Sequence, residues 1–156
     1  MKKIVLILVM LFFILSSYGK ERIEDMSKRE SKDDKVYVIG EDKPYTGTFI
    51  IKDENSNIKM ETKFKDGIFQ ESKGYFNNGQ ISFMDIYNEK REGIHKIYYK
   101  NGNLKLEGMS KNGRNEGEHK VYYESGNLWQ IITYKNGETM YPIKYYDENG
   151  NPKPSL

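Results

Sequence analysis

The chain has 156 residues, with 25 Lys and Arg against 23 Asp and Glu, two His and no Cys. A formal charge of +2 excludes a strongly basic nucleic-acid binder and a polybasic membrane surface, both of which work through excess positive charge. The missing cysteine removes disulfides, thiolate metal sites and a cysteine nucleophile, and a chain without one alanine is poor material for a helical bundle.

The first element is apolar. Lys2 and Lys3 precede an unbroken run from Ile4 to Leu15, followed by Ser16-Ser17-Tyr18-Gly19. A basic start, a short apolar stretch and small residues at its end predict a signal peptide over residues 1–19, cleaved near Gly19/Lys20. The product would then be exported to the periplasm or cell envelope, or secreted. The run falls short of the roughly 18 apolar residues that a membrane helix needs; an uncleaved anchor is the alternative, and the chain's sole predicted membrane contact. Cleavage would remove Lys2 and Lys3 and leave equal numbers of basic and acidic residues. Residues 20–35 follow, mostly charged and of mixed sign, with Ile23 and Met26 as the only large apolar side chains. Such a stretch buries too little surface to offset its ordering entropy, so a flexible charged linker is expected there.

From residue 36 to residue 151 the sequence repeats. Gly93-Ile-His-Lys-Ile-Tyr-Tyr-Lys-Asn-Gly-Asn-Leu104 matches Gly117-Glu-His-Lys-Val-Tyr-Tyr-Glu-Ser-Gly-Asn-Leu128 at an offset of 24. Related copies lie at Tyr145–Asn151, at Gly74–Ile81 and, in degenerate form with Ser56 for the turn glycine, at Ile51–Ile58. A second motif keeps phase: Phe64-Lys-Asp-Gly67, Tyr87-Asn-Glu-Lys90, Ser110-Lys-Asn-Gly113 and Tyr134-Lys-Asn-Gly137. Turn signals this close together, separated by Tyr, Ile, Phe and Val, predict an all-β antiparallel meander of about five hairpins in a twisted single-layer sheet. Residues 152–156 are a C-terminal tail.

A two-residue type I′ loop at Asn101-Gly102 would place Tyr99 opposite Leu104 and Ile97 opposite Leu106. The same construction pairs Phe76 with Ile81, Ile51 with Met60 and Tyr123 with Leu128. Ile51, Ile58, Met60, Phe76, Ile81, Phe83, Ile97, Tyr99, Leu104, Leu106, Val121, Tyr123 and Leu128 then share one apolar face. Tyr75, Tyr98, Tyr122, Tyr146 and Trp129 fall on the other, with Tyr122 and Trp129 as direct partners. Aromatic rows stiffen a sheet, and they also make recognition surfaces, because Tyr and Trp supply large contact area at small entropic cost. Tyr75, Tyr98, Tyr122, Trp129 and Tyr146 are therefore the candidate residues for binding a protein partner. An uncovered apolar face also makes self-association possible.

The Tyr-Tyr-x-x-Gly-Asn-Leu units, the Tyr/Ser-Lys-Asn-Gly connectors and Lys43-Pro44-Tyr45-Thr46-Gly47 together resemble the bacterial variant of the MORN repeat family, over residues 43–151. The resemblance implies elongated single-layer sheets of hairpins that serve as protein-interaction or membrane-apposition modules. It also implies an alternative function, since many such proteins are named antitoxin components that neutralise a partner toxin. Binding or hydrolysis of cell-wall material is a third reading.

No catalytic constellation emerges from the sequence. His95 and His119 occupy the same repeat position, two strands or about 9.6 Å apart, too far to share a metal ion, and two in-register histidines define no Ser-His-Asp triad. Glu92, Glu116 and Glu118 recur at solvated turns. The glycines precede strands rather than helices, unlike phosphate loops, and Asp147–Asn151 reads as a turn rather than a calcium loop. The expectation is a non-enzymatic binding protein without cofactor, metal or nucleic acid.

Overall fold

The computed structural model describes residues 21–154, so the predicted signal peptide lies outside the described residues. Ten strands form the meander: β4 (Gly47–Lys52), β5 (Ile58–Lys65), β6 (Ile68–Tyr75), β7 (Ile81–Tyr87), β8 (Glu92–Tyr98), β9 (Leu104–Lys111), β10 (Arg114–Tyr122), β11 (Leu128–Lys135), β12 (Glu138–Tyr146) and β13 (Pro152–Lys153). Each pairs antiparallel with the next in a single sheet. The first residues of the C-terminal tail thus join the array, with Pro152 opposite Tyr146 and Lys153 opposite Tyr145.

Two kinds of turn join the strands, in alternation except at Asn88–Glu92 between β7 and β8, which takes the longer form. At the Lys-Asn-Gly and Lys-Asp-Gly connectors, both central residues take positive φ: 51° and 78° at Asp66-Gly67, 51° and 75° at Asn112-Gly113, 53° and 90° at Asn136-Gly137. These are the two-residue hairpin loops whose twist matches the strands. The Asn101-Gly102 hairpin differs from the type I′ expectation. Gly102 donates its N–H to the Tyr99 carbonyl at 3.0 Å, and Tyr99 donates to Asn103 at 2.8 Å. That is a three-residue loop with a left-handed residue at its end, which shifts the pairing beside it. The same bonds recur at Phe76–Gln80, Tyr123–Asn127 and Asp147–Asn151, and at Asp53–Asn57, where Ser56 takes the left-handed position with φ 64°.

The longer loop corrects the predicted register near each turn. Tyr98 rather than Tyr99 faces Leu104, Tyr75 rather than Phe76 faces Ile81, and Tyr122 rather than Tyr123 faces Leu128, each across a bulge. Beyond the bulge the predicted pairs stand: Ile97 faces Leu106 and Ile51 faces Met60. A continuous row therefore crosses the sheet through Ile51, Met60, Gly74, Phe83, Ile97, Leu106 and Val121. Gly74 is required there because a Cβ would sit 2.1 Å from the Phe83 ring. Gly108 likewise gives way to the His119 ring.

Residues 21–35 of the charged stretch are built into the fold instead of forming a linker. β1 (Ile23–Asp25) pairs parallel with β4, a 3₁₀ turn over Met26–Lys28 crosses the face, and β2 (Arg29–Lys32) and β3 (Lys35–Val38) make a separate hairpin. The physical reason lies outside the segment's own composition. The unpaired edge of β4 supplies hydrogen-bonding groups for β1, and Asp33-Asp34, with φ of 50° and 59°, forms a tight turn. Charges are tied locally, Arg22 to Glu24 at 2.9 Å and Lys28 to Glu24 at 3.0 Å.

This hairpin lays Val36 and Val38 against Tyr45, Phe49 and Phe64, the only strongly buried apolar cluster among the described residues. From it a file of rings runs along the face, Tyr45–Phe49–Phe64–Phe69–Tyr87–His95, with centroids 4.3–5.9 Å apart and mostly edge to face. Such contacts add about 0.5–1.5 kcal/mol each beyond area burial. Phe49 is 0% exposed whereas Ile97 is 41% exposed, so the two truncations separate. Chemical denaturation should show Phe49→Ala losing about 3–5 kcal/mol and Ile97→Ala no more than about 2 kcal/mol.

Candidate functional site

Beyond the hairpin the same face lies open. Between β7, β8 and the start of β9 it forms a groove of about 830 Å³, with Phe76, Phe83, Ile97 and Tyr99 in its lining and Lys100, Lys105 and Glu124 among its charged residues. Tyr99 is held by its hydroxyl, which donates to the Tyr122 carbonyl at 2.8 Å one repeat on. Lys105, the bulged residue opposite Tyr98, places its ammonium 5.5 Å from the Tyr99 ring centre.

The predicted aromatic stripe is divided. Tyr98 borders the groove. Tyr75 and Tyr122 donate their hydroxyls to carboxylates, Tyr75 to Glu61 at 2.9 Å and Tyr122 to Glu107 at 2.8 Å. Trp129, in the bulge of β11, packs on Tyr123 at 6.0 Å between ring centres rather than on Tyr122. Tyr146 is half-buried and accepts the Tyr123 hydroxyl at its carbonyl. The sequence places the groove aromatics Phe76, Phe83 and Tyr99 on the apolar face and not among the candidate binding residues. Their exposure follows from the capping hairpin ending near β6, which no pattern of period two reveals.

A second grouping escaped the sequence. Asp85 and His95 are direct partners across β7 and β8, and Ser110 faces Gly93 on β9. The His95 Nδ1 lies 2.7 Å from an Asp85 carboxylate oxygen, and its Nε2 lies 2.9 Å from the Ser110 Oγ and 3.1 Å from the Tyr87 hydroxyl. With Asp85 ionised, Nδ1 donates to it and Nε2 accepts from Ser110 or Tyr87. The connectivity is that of a Ser-His-Asp triad, corrected here against the expectation that no such grouping exists. The surroundings differ from a nucleophilic site. Ser110 is 4% exposed, walled by Gly93 and Tyr87, and outside the groove lining. β9 is paired on both sides at this residue, to Gly93 and Asn115, so ladder bonds occupy the backbone donors that would otherwise stabilise an oxyanion. The cluster continues a polar row, Thr62, Ser72, Asp85 and His95, in which Thr62 and Ser72 are buried and share a 3.3 Å bond while Asp85 and His95 are half-buried and line the groove. His119 sits in a different setting, 5% exposed, with Nε2 donating to the Met109 carbonyl at 2.8 Å and its ring against Tyr134. Among the described residues no three His, Asp or Glu side chains converge as a metal site requires.

Two stretches, residues 91–112 and 115–136, match the family model of the MORN repeat variant. They coincide with the β8–β9 and β10–β11 hairpins, while the remaining hairpins of the array lie outside the match. No curated protein matches the chain.

Tyr75 and Tyr122 are each pushed up to about 12, by burial first and then by the bond to Glu61 or Glu107, which favours the protonated phenol. A folded state that holds these protons more tightly than the unfolded chain is stabilised below pH 10, and that stabilisation is lost as pH rises from about 10 to 12. Denaturation midpoints should therefore fall across this window, and fall less in a Tyr75→Phe/Tyr122→Phe double variant. A serine-reactive fluorophosphonate should leave Ser110 of the folded protein unlabelled.

Proposed function

We propose that this chain is an exported, non-catalytic protein-binding module that receives its partner in the open groove. The observation that carries the reading is the contrast within one sheet face. Over β4–β6 the chain's own hairpin covers the aromatic rows, and beyond it the same rows continue uncovered through Phe83, Ile97 and Tyr99. A face that is already closed in one half by a strand pair is shaped to accept another polypeptide segment in its second half. Aromatic rings, with the Tyr99 hydroxyl tied to the Tyr122 carbonyl, supply contact area at small entropic cost, while Lys100, Lys105 and Glu124 set register and orientation at the rim. The two stretches matching the MORN repeat variant agree with an interaction role. Export rests on the Lys2-Lys3 start and the apolar run to Leu15, and the burial of Ser110 supports the absence of catalysis.

A photo-crosslinking residue at Lys105 should capture a protein in cells, whereas one at Lys63, on the opposite face, should not. Equal capture from both positions, or none from Lys105, rejects the groove. Intact mass of the native protein should show a species beginning at Lys20 outside the cytoplasm; full-length protein in the cytosol rejects export.

A further inference from the structure

The face opposite the groove carries its own apolar centre, in a region the sequence pattern marks as polar. Ile86, Ile94 and Met109 are direct neighbours across β7, β8 and β9. They are 40%, 45% and 53% exposed, and no segment among the described residues lies over them as the N-terminal hairpin lies over Phe64. Isolated exposed apolar residues are ordinary, but three in register on adjacent strands make a contiguous patch.

The charges on either side follow an order. Two residues along the strands in one direction, Lys96 on β8 stands beside Glu107 on β9, with nitrogen and oxygen 3.8 Å apart. Two residues in the other direction, Glu92 on β8 stands beside Lys111 on β9, 3.4 Å apart. The two ion pairs flank the apolar row with opposite polarity. A two-fold axis lying in the interface plane, perpendicular to the strands and over this row, maps one flank onto the other. A second copy placed by that axis sets Ile86, Ile94 and Met109 on their own counterparts. It also sets Lys96 over Glu92 of the second copy and Glu107 over Lys111 of the second copy, plus on minus at both positions.

We infer that this face is a homodimer interface, with its occupant a second copy of the same chain. The self-complementarity is the argument: an isologous interface requires one patch to fit itself, and this patch does so in both shape class and charge order. Strands β7 to β9, at about 4.8 Å spacing and about 3.3 Å per residue, present roughly 350 Å² of planar face per copy, the scale of a weak, transient dimer. On β6 and β10 the facing charges are of like sign, Glu71 and Glu116 each with itself and Lys120 with Arg114, so the favourable contact is confined to β7, β8 and β9. Dimerisation through this face leaves the groove on the other face free.

Sedimentation equilibrium of the native protein should show a dimer that dissociates on dilution through the micromolar range. Lys96→Glu sets glutamate over glutamate at both symmetric positions, and Glu92→Lys sets lysine over lysine; each variant alone should dimerise at least about tenfold more weakly, because facing like charges are costly. Mixed together, the two variants restore plus on minus at both positions, and a heterodimer should form at close to the parental affinity. This rescue separates a lost interface from a lost fold. Ile97→Ser, in the groove, should leave dimerisation unchanged. A parent protein that stays monomeric at all concentrations, single variants that dimerise like the parent, or a mixture that stays monomeric each overturns the inference.

Discussion

A single sheet has no second layer to pack against, and this protein is organised around that shortage. Side chains must find cover from residues on the neighbouring strands or from whatever segment can be folded across the face. The edge-to-face file from Tyr45 to His95 meets the need at one end, because each ring shields its neighbour's edge and presents its own. Glycines at 74 and 108 meet it differently, by letting Phe83 and His119 lie directly over backbone. The N-terminal hairpin supplies cover only over the first strands, and that limit produces both the core and the groove.

With so little apolar burial, hydrogen bonds between successive repeats carry much of the order along the array. Asn78, Asn101 and Asn127 donate side-chain N–H groups to the carbonyls of Lys100, Glu124 and Glu148, one turn to the next. Tyr99 and Tyr123 reach across in the same way to Tyr122 and Tyr146. These ties explain why the Tyr-Tyr and Gly-Asn elements recur, without any appeal to a ligand. The Asp85–His95–Ser110 cluster belongs to the same economy. It satisfies three half-buried or buried polar groups in the middle of the sheet, and none of the buried side-chain nitrogens or oxygens among the described residues lacks a partner. Triad connectivity alone is thus compatible with a structural tie when the serine is enclosed.

The two faces differ in what they expose. The groove face is continuous with the core and offers rings whose positions are fixed by neighbouring repeats. The opposite face offers aliphatic side chains between ordered ion pairs. The proposed partner site and the proposed dimer contact therefore lie on opposite faces and do not compete for surface.

Much of this architecture is legible in the residues themselves. The 23–24-residue period, the alternation of apolar and polar positions and the Asn-Gly and Asp-Gly turns determine a meander of hairpins, because strand pairing and turn chemistry are local properties. The row from Ile51 to Val121 follows from that alternation. Other features depend on contacts the local pattern does not encode. A three-residue loop in place of a two-residue one shifts Tyr98, Tyr75 and Tyr122 across a bulge, since the choice lies in whether Asn101 or only Gly102 takes positive φ. The charged stretch after Lys20 becomes ordered because an open strand edge and a bare aromatic face are within reach, which its composition cannot register. The meeting of Asp85, His95 and Ser110, the groove beyond Phe76 and the patch at Ile94 were likewise decided by tertiary structure, where register between strands and the reach of one covering hairpin determine which side chains meet and which stay open.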